Sequence, residues 1–302
     1  MRETFRIALA TVDHFTRNHP AALRTLLQKL KLEAELPSFR EAMKLLHVPE
    51  PDPRTGIIEQ FDGYFQLREA TPQELRARRI HPHEYLGGQG LAVPTQVIKQ
   101  ADVIMMLHLF RERFSPAIKR ANWEYYEPRT EHGSSLSASA YALVATEFGA
   151  LDSAYQYFLR TAKIDLEAKY KVYVGTVFMG GSHPAANGGA WMTAVLGFGG
   201  VQAEETRVVI NPRLWKKWDG LGFHLAYQGD NFEINITKAS VTITPAPANA
   251  REHAFVVAGC AAKCRPGIPV TIEYRPAKVS ASRRRLSGLA PSLAGLSSEP
   301  AK

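Results

Sequence analysis

Four stretches gather side chains that could do chemistry. Residues 57–65, IIEQFDGYF, set two carboxylates, Glu59 and Asp62, among aromatic rings. Lys99 and Gln100 stand at the mouth of an apolar run that follows Asp102. Residues 131–137, EHGSSLS, crowd hydroxyls and a histidine into a turn that feeds a helix, and residues 180–189, GGSHPAANGG, feed another. The last two share a physical logic. A helix start presents free N–H groups and partial positive charge, and serines, a histidine and glycines there can close around an anion. Two such starts plus Lys99 would make a phosphate cage if the fold brings them together. The plain alternative is that Ser134, Ser135 and Ser137 only cap a helix, a common task of serine in that position. Spacing leaves both readings open.

Other reactive types read more simply. Glu59 and Asp62 could be a paired carboxylate or a sugar-binding acid; acids in such loops more often bond backbone N–H groups, and that reading is favoured. His81-Pro82-His83-Glu84 has no third ligand cluster, and Cys260 and Cys264 have no second pair. A structural zinc needs four ligands, so no metal site is read. His108, among apolar residues, is read as a satisfied core histidine. Trp123, Tyr125 and Tyr126 could stack on a sugar, but aromatics between helices mostly pack.

The elements that must carry these residues change character along the chain. Up to about Gly200 the period is helical. Phe5, Leu9, Val12 and Phe15 share one face. Ser38-Phe39-Arg40-Glu41 and Thr71-Pro72-Gln73-Glu74 both read as capping boxes. Helices are predicted over 102–114, 137–148, 152–166 and 184–196, the second and third paired across Gly149. After Gly200 the period is two: Val208 and Ile210; Phe223, Leu225 and Tyr227; Phe232, Ile234 and Ile236; Val241 and Ile243; Val270, Ile272 and Tyr274. Gln228-Gly229-Asp230-Asn231 is a hairpin turn. The expectation is a mainly α region followed by a small antiparallel β-sandwich.

Composition narrows the class. The chain has 302 residues, 45% hydrophobic and 22% charged, with two cysteines. That is globular composition, and it offers no disulfide framework. No apolar run is long enough to span a bilayer, and no signal-peptide core follows Met1. A cytoplasmic protein with no membrane partner is expected. The net charge of +8 invites a nucleic-acid reading, but from Lys278 onward five basic residues (Lys278, Arg283, Arg284, Arg285, Lys302) face one acid, Glu299. Half the excess therefore sits in a Ser/Ala/Gly/Pro-rich tail expected to be disordered. Arg76-Ala77-Arg78-Arg79 is expected to face solvent at a helix end. No nucleic-acid partner is inferred.

Taken together, the segments resemble glycoside hydrolase family 65, the maltose, trehalose, kojibiose and nigerose phosphorylases and their hydrolase relatives. The runs that carry the resemblance are GIIEQFDGYF (56–65), IKQADVIMMLHLF (98–110), YYEPRTEHGSSLSASAYA (125–142), YFLRTAKIDL (157–166), GGSHPAANGGAWMTAVLGFGG (180–200) and VVINPRLWKKWDGLGFHLAYQG (208–229). They stand in the family's order over roughly residues 1–245.

The resemblance implies an (α/α)6 toroid of the six-hairpin glycosidase type, here partial, followed by a small C-terminal antiparallel β-sandwich. The implied division is 1–200 for the C-terminal part of the catalytic barrel, 201–277 for the sandwich and 278–302 for the basic tail. It implies inverting phosphorolysis of an α-linked glucose disaccharide to glucose 1-phosphate, with inorganic phosphate as co-substrate and no cofactor or metal. Lys99 and Gln100 would hold the glucose; Ser134, Ser135 and His183 would hold the phosphate. The chain departs from the family in two ways. Gly133 stands where many members carry an acid. The Gly-Pro-Asp-Glu-Tyr type motif of the general acid does not occur in the sequence, and by alignment the acid would fall upstream of Met1; the family's N-terminal β-sandwich and its Trp-Asp sugar-binding motif are missing too, the Trp218-Asp219 pair lying in the strand region. No catalytic residue is therefore assigned, and the chain alone is expected to lack phosphorolytic activity. About eight helix candidates precede Gly200 where a closed toroid needs twelve, so an open arc that associates with itself or with an upstream partner chain is expected. The competing reading is a non-catalytic relative that binds sugar or phosphate, or docks on a partner.

Overall fold

The computed structural model describes residues 1–80, 85–87, 90–167, 173–174, 177–178 and 181–275. The predicted disordered tail lies outside the described residues, as do His81-Pro82-His83-Glu84 and Gly180. The chain divides into two compact units, Met1–Glu50 and Pro51–Lys302.

The first unit holds α1 (Arg2–Asn18), α2 (Pro20–Leu30) and α3 (Leu36–Leu45). The predicted apolar face of α1 forms: Leu9 is buried, Phe5, Val12 and Phe15 are half-buried, and the Phe5 and Phe39 rings lie 5.1 Å apart. The capping box expected at Ser38 is absent. Pro37 occupies the first turn of α3, as proline's fixed φ allows, so the helix starts ahead of Ser38, and the Ser38 hydroxyl donates to Glu35 O at 2.7 Å.

The second unit begins with loops and α4 (Pro72–Arg76), where the predicted capping box does form: Thr71 Oγ1 accepts from Glu74 N and Glu74 Oε2 from Thr71 N. Next come α5 (Asp102–Leu109) and α6 (Pro116–Tyr126). Helix α5 is shorter than the 102–114 expected, because Arg111-Glu112-Arg113 has no apolar face to continue it and makes a 3-10 turn instead. Helices α7 (Ser137–Glu147) and α8 (Leu151–Ala162) form the predicted pair across Gly149, whose φ of 85° makes the reversal. Every residue of α7 from Ser137 to Thr146 is buried, so α7 is the centre of the helical core. A two-stranded hairpin, β1 (Tyr173–Val174) with β2 (Val177–Phe178), precedes α9 (Pro184–Met192). The helix predicted over 184–196 is α9 plus a π-helical turn, Thr193–Phe198.

Gly200 ends the helical stretch. At φ 67° it lies so close to the returning chain that a Cβ would sit 1.8 Å from Asn211 O. Then follow β3 (Val201–Ala203), β4 (Arg207–Ile210), β5 (Gly220–Tyr227), β6 (Asp230–Thr237), β7 (Ser240–Pro245), β8 (His253–Val257), β9 (Cys260–Cys264) and β10 (Val270–Glu273). They make two four-stranded sheets, β10-β7-β6-β5 and β3-β4-β8-β9. Their inner faces share one core that includes Phe232, Ile234 and Ile243 from the first and Val208, Phe255 and Val257 from the second. Pairing is antiparallel except between β4 and β8, which run parallel: the chain leaves β4, builds three strands of the other sheet and returns alongside in the same direction. Gln228 and Gly229, both at positive φ, form the two-residue turn between β5 and β6. The sheets are joined to the helices by Trp215, whose ring stacks on Tyr155 with centroids 3.5 Å apart and planes at 9°. Its indole N–H donates to Asp152.

Candidate active site

Residues 98–99 lie as a parallel strand segment against 129–133. Ile98 N donates to Arg129 O at 2.9 Å, Glu131 N to Ile98 O at 2.8 Å and Gly133 N to Lys99 O at 3.0 Å. This ladder places Lys99 beside the residue that opens Gly133-Ser134-Ser135. Lys99 is exposed, and its ammonium lies 4.3 Å from the centre of the Tyr85 ring. Gly133 is confined: a Cβ there would lie 3.4 Å from each of Glu131 Oε2, Lys99 Cγ and Tyr85 Cβ. A side chain at this position would be in van der Waals contact with all three. Glu131 is buried, and both its carboxylate oxygens accept from Leu86 N at 2.9 and 3.0 Å. Burial pushes its carboxyl up, against the Leu86 hydrogen bonds and the charges of Arg76, Arg79 and Lys99.

Gln100 donates to Asp102 Oδ1 at 3.2 Å, and Gln60 donates to Asp102 Oδ2 at 3.3 Å. The 57–65 stretch thereby joins the Lys99-Gln100 stretch through one carboxylate. Glu59 behaves as favoured from sequence: its Oε1 accepts from Phe65 N at 3.1 Å. Trp123 and Tyr126 are buried packing residues, with Trp123 Nε1 donating to Tyr141 O and Tyr126 OH to Ile58 O. His108 is the satisfied core histidine expected, its Nδ1 lying 2.6 Å from Glu147. Arg76 corrects the solvent-facing reading of its cluster: it is half-buried and donates to Glu131 O at 3.2 Å, because the loop after α4 lies against the Glu131 segment. Among the described residues there is no group of three or more His, Cys, Asp or Glu that could hold a metal.

The two helix starts lie at one end of the helical core. A Cβ on Gly189 would lie 2.6 Å from Ser139 Oγ, and one on Gly197 would lie 3.3 Å from Thr146. Contacts that advance together along both chains mean that α7 and α9 run the same way. Gly189 is five residues past Pro184 and Ser139 two past Ser137, so the start of α9 projects about 4.5 Å beyond that of α7 at the helical rise. Neither start has a side-chain cap. Ser134 Oγ accepts from Leu136 N at 3.3 Å, one residue ahead of α7. Among the described residues the Ser135 hydroxyl has no hydrogen-bond partner. Both serines are half-buried. Of the three serines considered as caps, Ser134 alone makes a cap-like bond, to Leu136 N in the turn ahead of α7; Ser135 and Ser137 do not.

His183 is the N-cap of α9. Its Nδ1 lies 2.7 Å from Asp165 Oδ1, its backbone N donates to Asp165 Oδ2 at 2.7 Å, and Asn187 donates to the same oxygen at 2.9 Å. The His183 hydrogen bonds, backbone first, and that from Asn187 hold the Asp165 carboxyl down at about 2. The carboxylate accepts from Nδ1–H and so fixes the imidazole; Nε2 donates to an anion only when the ring is the imidazolium. Sequence reasoning missed Asp165; it lies in the 157–166 run, but no spacing rule ties it to a histidine eighteen residues on. It also missed a buried chain in which Tyr157 OH donates to Glu127 at 2.6 Å and lies 3.2 Å from His132 Nε2, whose Nδ1 lies 2.9 Å from Ser137 Oγ.

Comparison with known proteins identifies the family. Residues 3–192 match the glycosyl hydrolase family 65 central catalytic domain, and residues 202–253 match the family's C-terminal domain. Nigerose phosphorylase of Lachnoclostridium phytofermentans is 42% identical over 80% of this chain and 32% of its own length. The 1,2-alpha-glucosylglycerol phosphorylase of Bacillus selenitireducens is 40% identical over 78% of this chain and 30% of its own length. The kojibiose phosphorylase of Caldanaerobacter subterraneus is 34% identical over the same shares, 78% and 30%. A solved structure from the human microbiome, described as a kojibiose phosphorylase, superposes with a TM-score of 0.73 at 24% identity, covering 90% of this chain and 36% of that one. It establishes likeness of fold. The chain thus spans about a third of the length of the curated relatives it matches. With its helical region matching the catalytic domain and its strands the C-terminal domain, the chain belongs to glycoside hydrolase family 65.

Proposed function

We propose that this chain forms the phosphate- and glucose-binding side of a family 65 phosphorylase active site, in which an α-linked glucose disaccharide is cleaved with inversion to glucose 1-phosphate. The observation that carries the reading is the alignment of the α7 and α9 starts at one end of the core, both without side-chain caps, with Lys99 laid beside Gly133. Ser134, Ser135 and His183 hold the phosphate, and Lys99 and Gln100 hold the glucose in the cleavage subsite. Phosphate attacks the anomeric carbon from the face opposite the leaving sugar. The C–O bond to that sugar breaks, and the departing oxygen takes a proton from a carboxylic acid. Phosphate is already an anion, so no general base is needed. The helical region belongs to an (α/α)6 toroid over 1–200, with a sandwich over 201–277; the family matches on either side of Gly200 support that division.

The proton donor is the open position. The family's acidic motif is not among the 302 residues; the second reading is that the chain binds phosphate and sugar without turning them over. Titration calorimetry separates the outcomes. The chain is expected to bind inorganic phosphate, and Ser134→Ala with Ser135→Ala, or His183→Ala, to weaken binding by roughly tenfold or more, the scale of a charge-assisted hydrogen bond. Unchanged affinity in these variants defeats the assignment. Release of glucose 1-phosphate from nigerose or kojibiose by the chain alone is expected to be undetectable; an ordinary enzymatic rate would mean that an acid within these residues serves.

A further inference from the structure

We propose that His132 is a positioning residue for the phosphate site, keeping the start of α7 open to the anion by holding the Ser137 hydroxyl away from it. The inference rests on the phosphate reading above and adds a residue that reading does not use. Serine preferences favour Ser137 as the N-cap of α7, with its hydroxyl on the N–H groups two and three residues on. Instead Ser137 is the first helical residue, and the N-cap is Leu136, whose side chain accepts nothing. The cause lies on the other side of Ser137, where its Oγ meets His132 Nδ1 at 2.9 Å.

The direction of each bond follows from the far end of the chain. Tyr157 OH donates to Glu127 Oε1 at 2.6 Å, so its oxygen accepts from His132 Nε2–H at 3.2 Å. With the proton on Nε2, Nδ1 carries the lone pair and Ser137 Oγ–H donates to it. Burial, helped by the charges of Arg160 and Arg76, holds the imidazolium form well out of reach and the ring neutral. Tyr141 and Tyr157 flank the ring with centroids 5.0 and 5.1 Å away. His132 itself adopts φ 56°, a left-handed conformation uncommon outside glycine that histidine and asparagine tolerate better than most side chains. That turn brings Gly133, which leads into Ser134 and Ser135, against Lys99. Ser139, the next hydroxyl on α7, is also engaged, donating to Leu136 O at 2.9 Å. A local rule is thus broken at the place where the proposed reaction needs an uncapped helix.

Phosphate titration of the full chain tests this. His132→Asn keeps tolerance of left-handed backbone but cannot bridge Ser137 to Tyr157. Its phosphate affinity is expected to fall about tenfold, the scale of a cap hydrogen bond competing for the same N–H groups. Adding Ser137→Ala to His132→Asn removes the competing hydroxyl and is expected to restore affinity to near wild type. Long-range proton–nitrogen spectra of the wild type are expected to show His132 as the neutral Nε2–H tautomer. Should His132→Asn fail to fold, Tyr157→Phe, which removes one hydroxyl, carries the test through mixed tautomers and weakened phosphate binding. Wild-type affinity in His132→Asn, or a double variant no better than the single one, overturns the inference. If Ser134→Ala weakens binding while His132→Asn does not, the phosphate reading stands and the positioning role falls; no phosphate binding by the wild type overturns both.

Discussion

Asp165 accepts three hydrogen bonds, two from His183 and one from Asn187, and they depress its folded pKa to about 2. An unfolded aspartate titrates near 3.9. The carboxylate's contribution to stability is therefore fully present above about pH 4 and is lost as pH falls through about 2. Asp165→Asn is expected to lower the melting temperature at pH 5–7, with the gap to wild type closing between pH 4 and 2. A gap constant across that window would mean that the carboxylate is not what orients His183. This pairing also marks the limit of reading single residues. Lys99, the two serines and His183 stood out as candidates because helix starts and Gly-rich turns have a local signature. Asp165, Tyr157 and Glu127 were not, because their partners are set by tertiary packing that no local period records. His132 stood inside a quoted motif, but a histidine's hydrogen-bond partners cannot be read from its neighbours in sequence.

At the scale of elements, the shared direction of α7 and α9 depends on a glycine. Gly189 lets α9 approach α7 so closely that a Cβ would meet Ser139 Oγ at 2.6 Å and Ser139 Cβ at 2.8 Å. Gly189→Ala would gain up to about 1 kcal/mol of helix propensity but must push the helices apart, at a cost of roughly 1–3 kcal/mol in a packed core. The expected net result is a destabilised chain with weakened phosphate binding, recovered in part by Ser139→Gly, as urea unfolding and calorimetry would report. Equal stability in Gly189→Ala would show that the contact yields freely. Sequence reading placed these helices but not the contact, since glycines in a helix look like breakers until a neighbour is known. It found Thr71 and Glu74 as a box and misread Ser38, where Pro37 moved the helix start. It found β4, β5, β6, β7 and β10, whose apolar residues alternate, and omitted β3, β8 and β9 of the sandwich; Cys260-Ala261-Ala262-Lys263-Cys264 of β9 carries no β-branched residue. The parallel β4–β8 pair was invisible because strand order is a property of the sheet rather than of any strand.

For the whole molecule, the question is what joins the helices to the sheets within Pro51–Lys302 and how stable Met1–Glu50 is by itself. Within Pro51–Lys302 the answer is aromatic. Trp215 stacks on Tyr155 and donates to Asp152, Lys216 donates to the same carboxylate, and Trp218 lies against Phe158 and Phe198. Trp215 is half-buried, so Trp215→Ala is expected to cost about 2–3 kcal/mol, below the 3–5 of a fully buried ring, and to lower the melting temperature by roughly 5–10 °C. A single transition that splits into two in this variant would identify the stack as the coupling; an unchanged melting curve would dismiss it. Met1–Glu50 is a unit by itself. In it only Leu9 and Leu23 are apolar residues buried below a tenth of their surface, while Ile7, Leu26, Leu30 and Leu45 are exposed. So small a core does not offset the entropy of ordering three helices, because units below about 70–80 residues rarely gain more than 3–5 kcal/mol from one. Local opening free energy follows buried contacts. Amides of α1, α2 and α3 are therefore expected to exchange with deuterium orders of magnitude faster than those of α7 in dilute protein. If their exposed faces are covered by a second copy of the chain, protection of α1–α3 rises with protein concentration while that of α7 does not. Protection of α1–α3 equal to that of α7 at every concentration would show that the Met1–Glu50 helices are stable without any such cover.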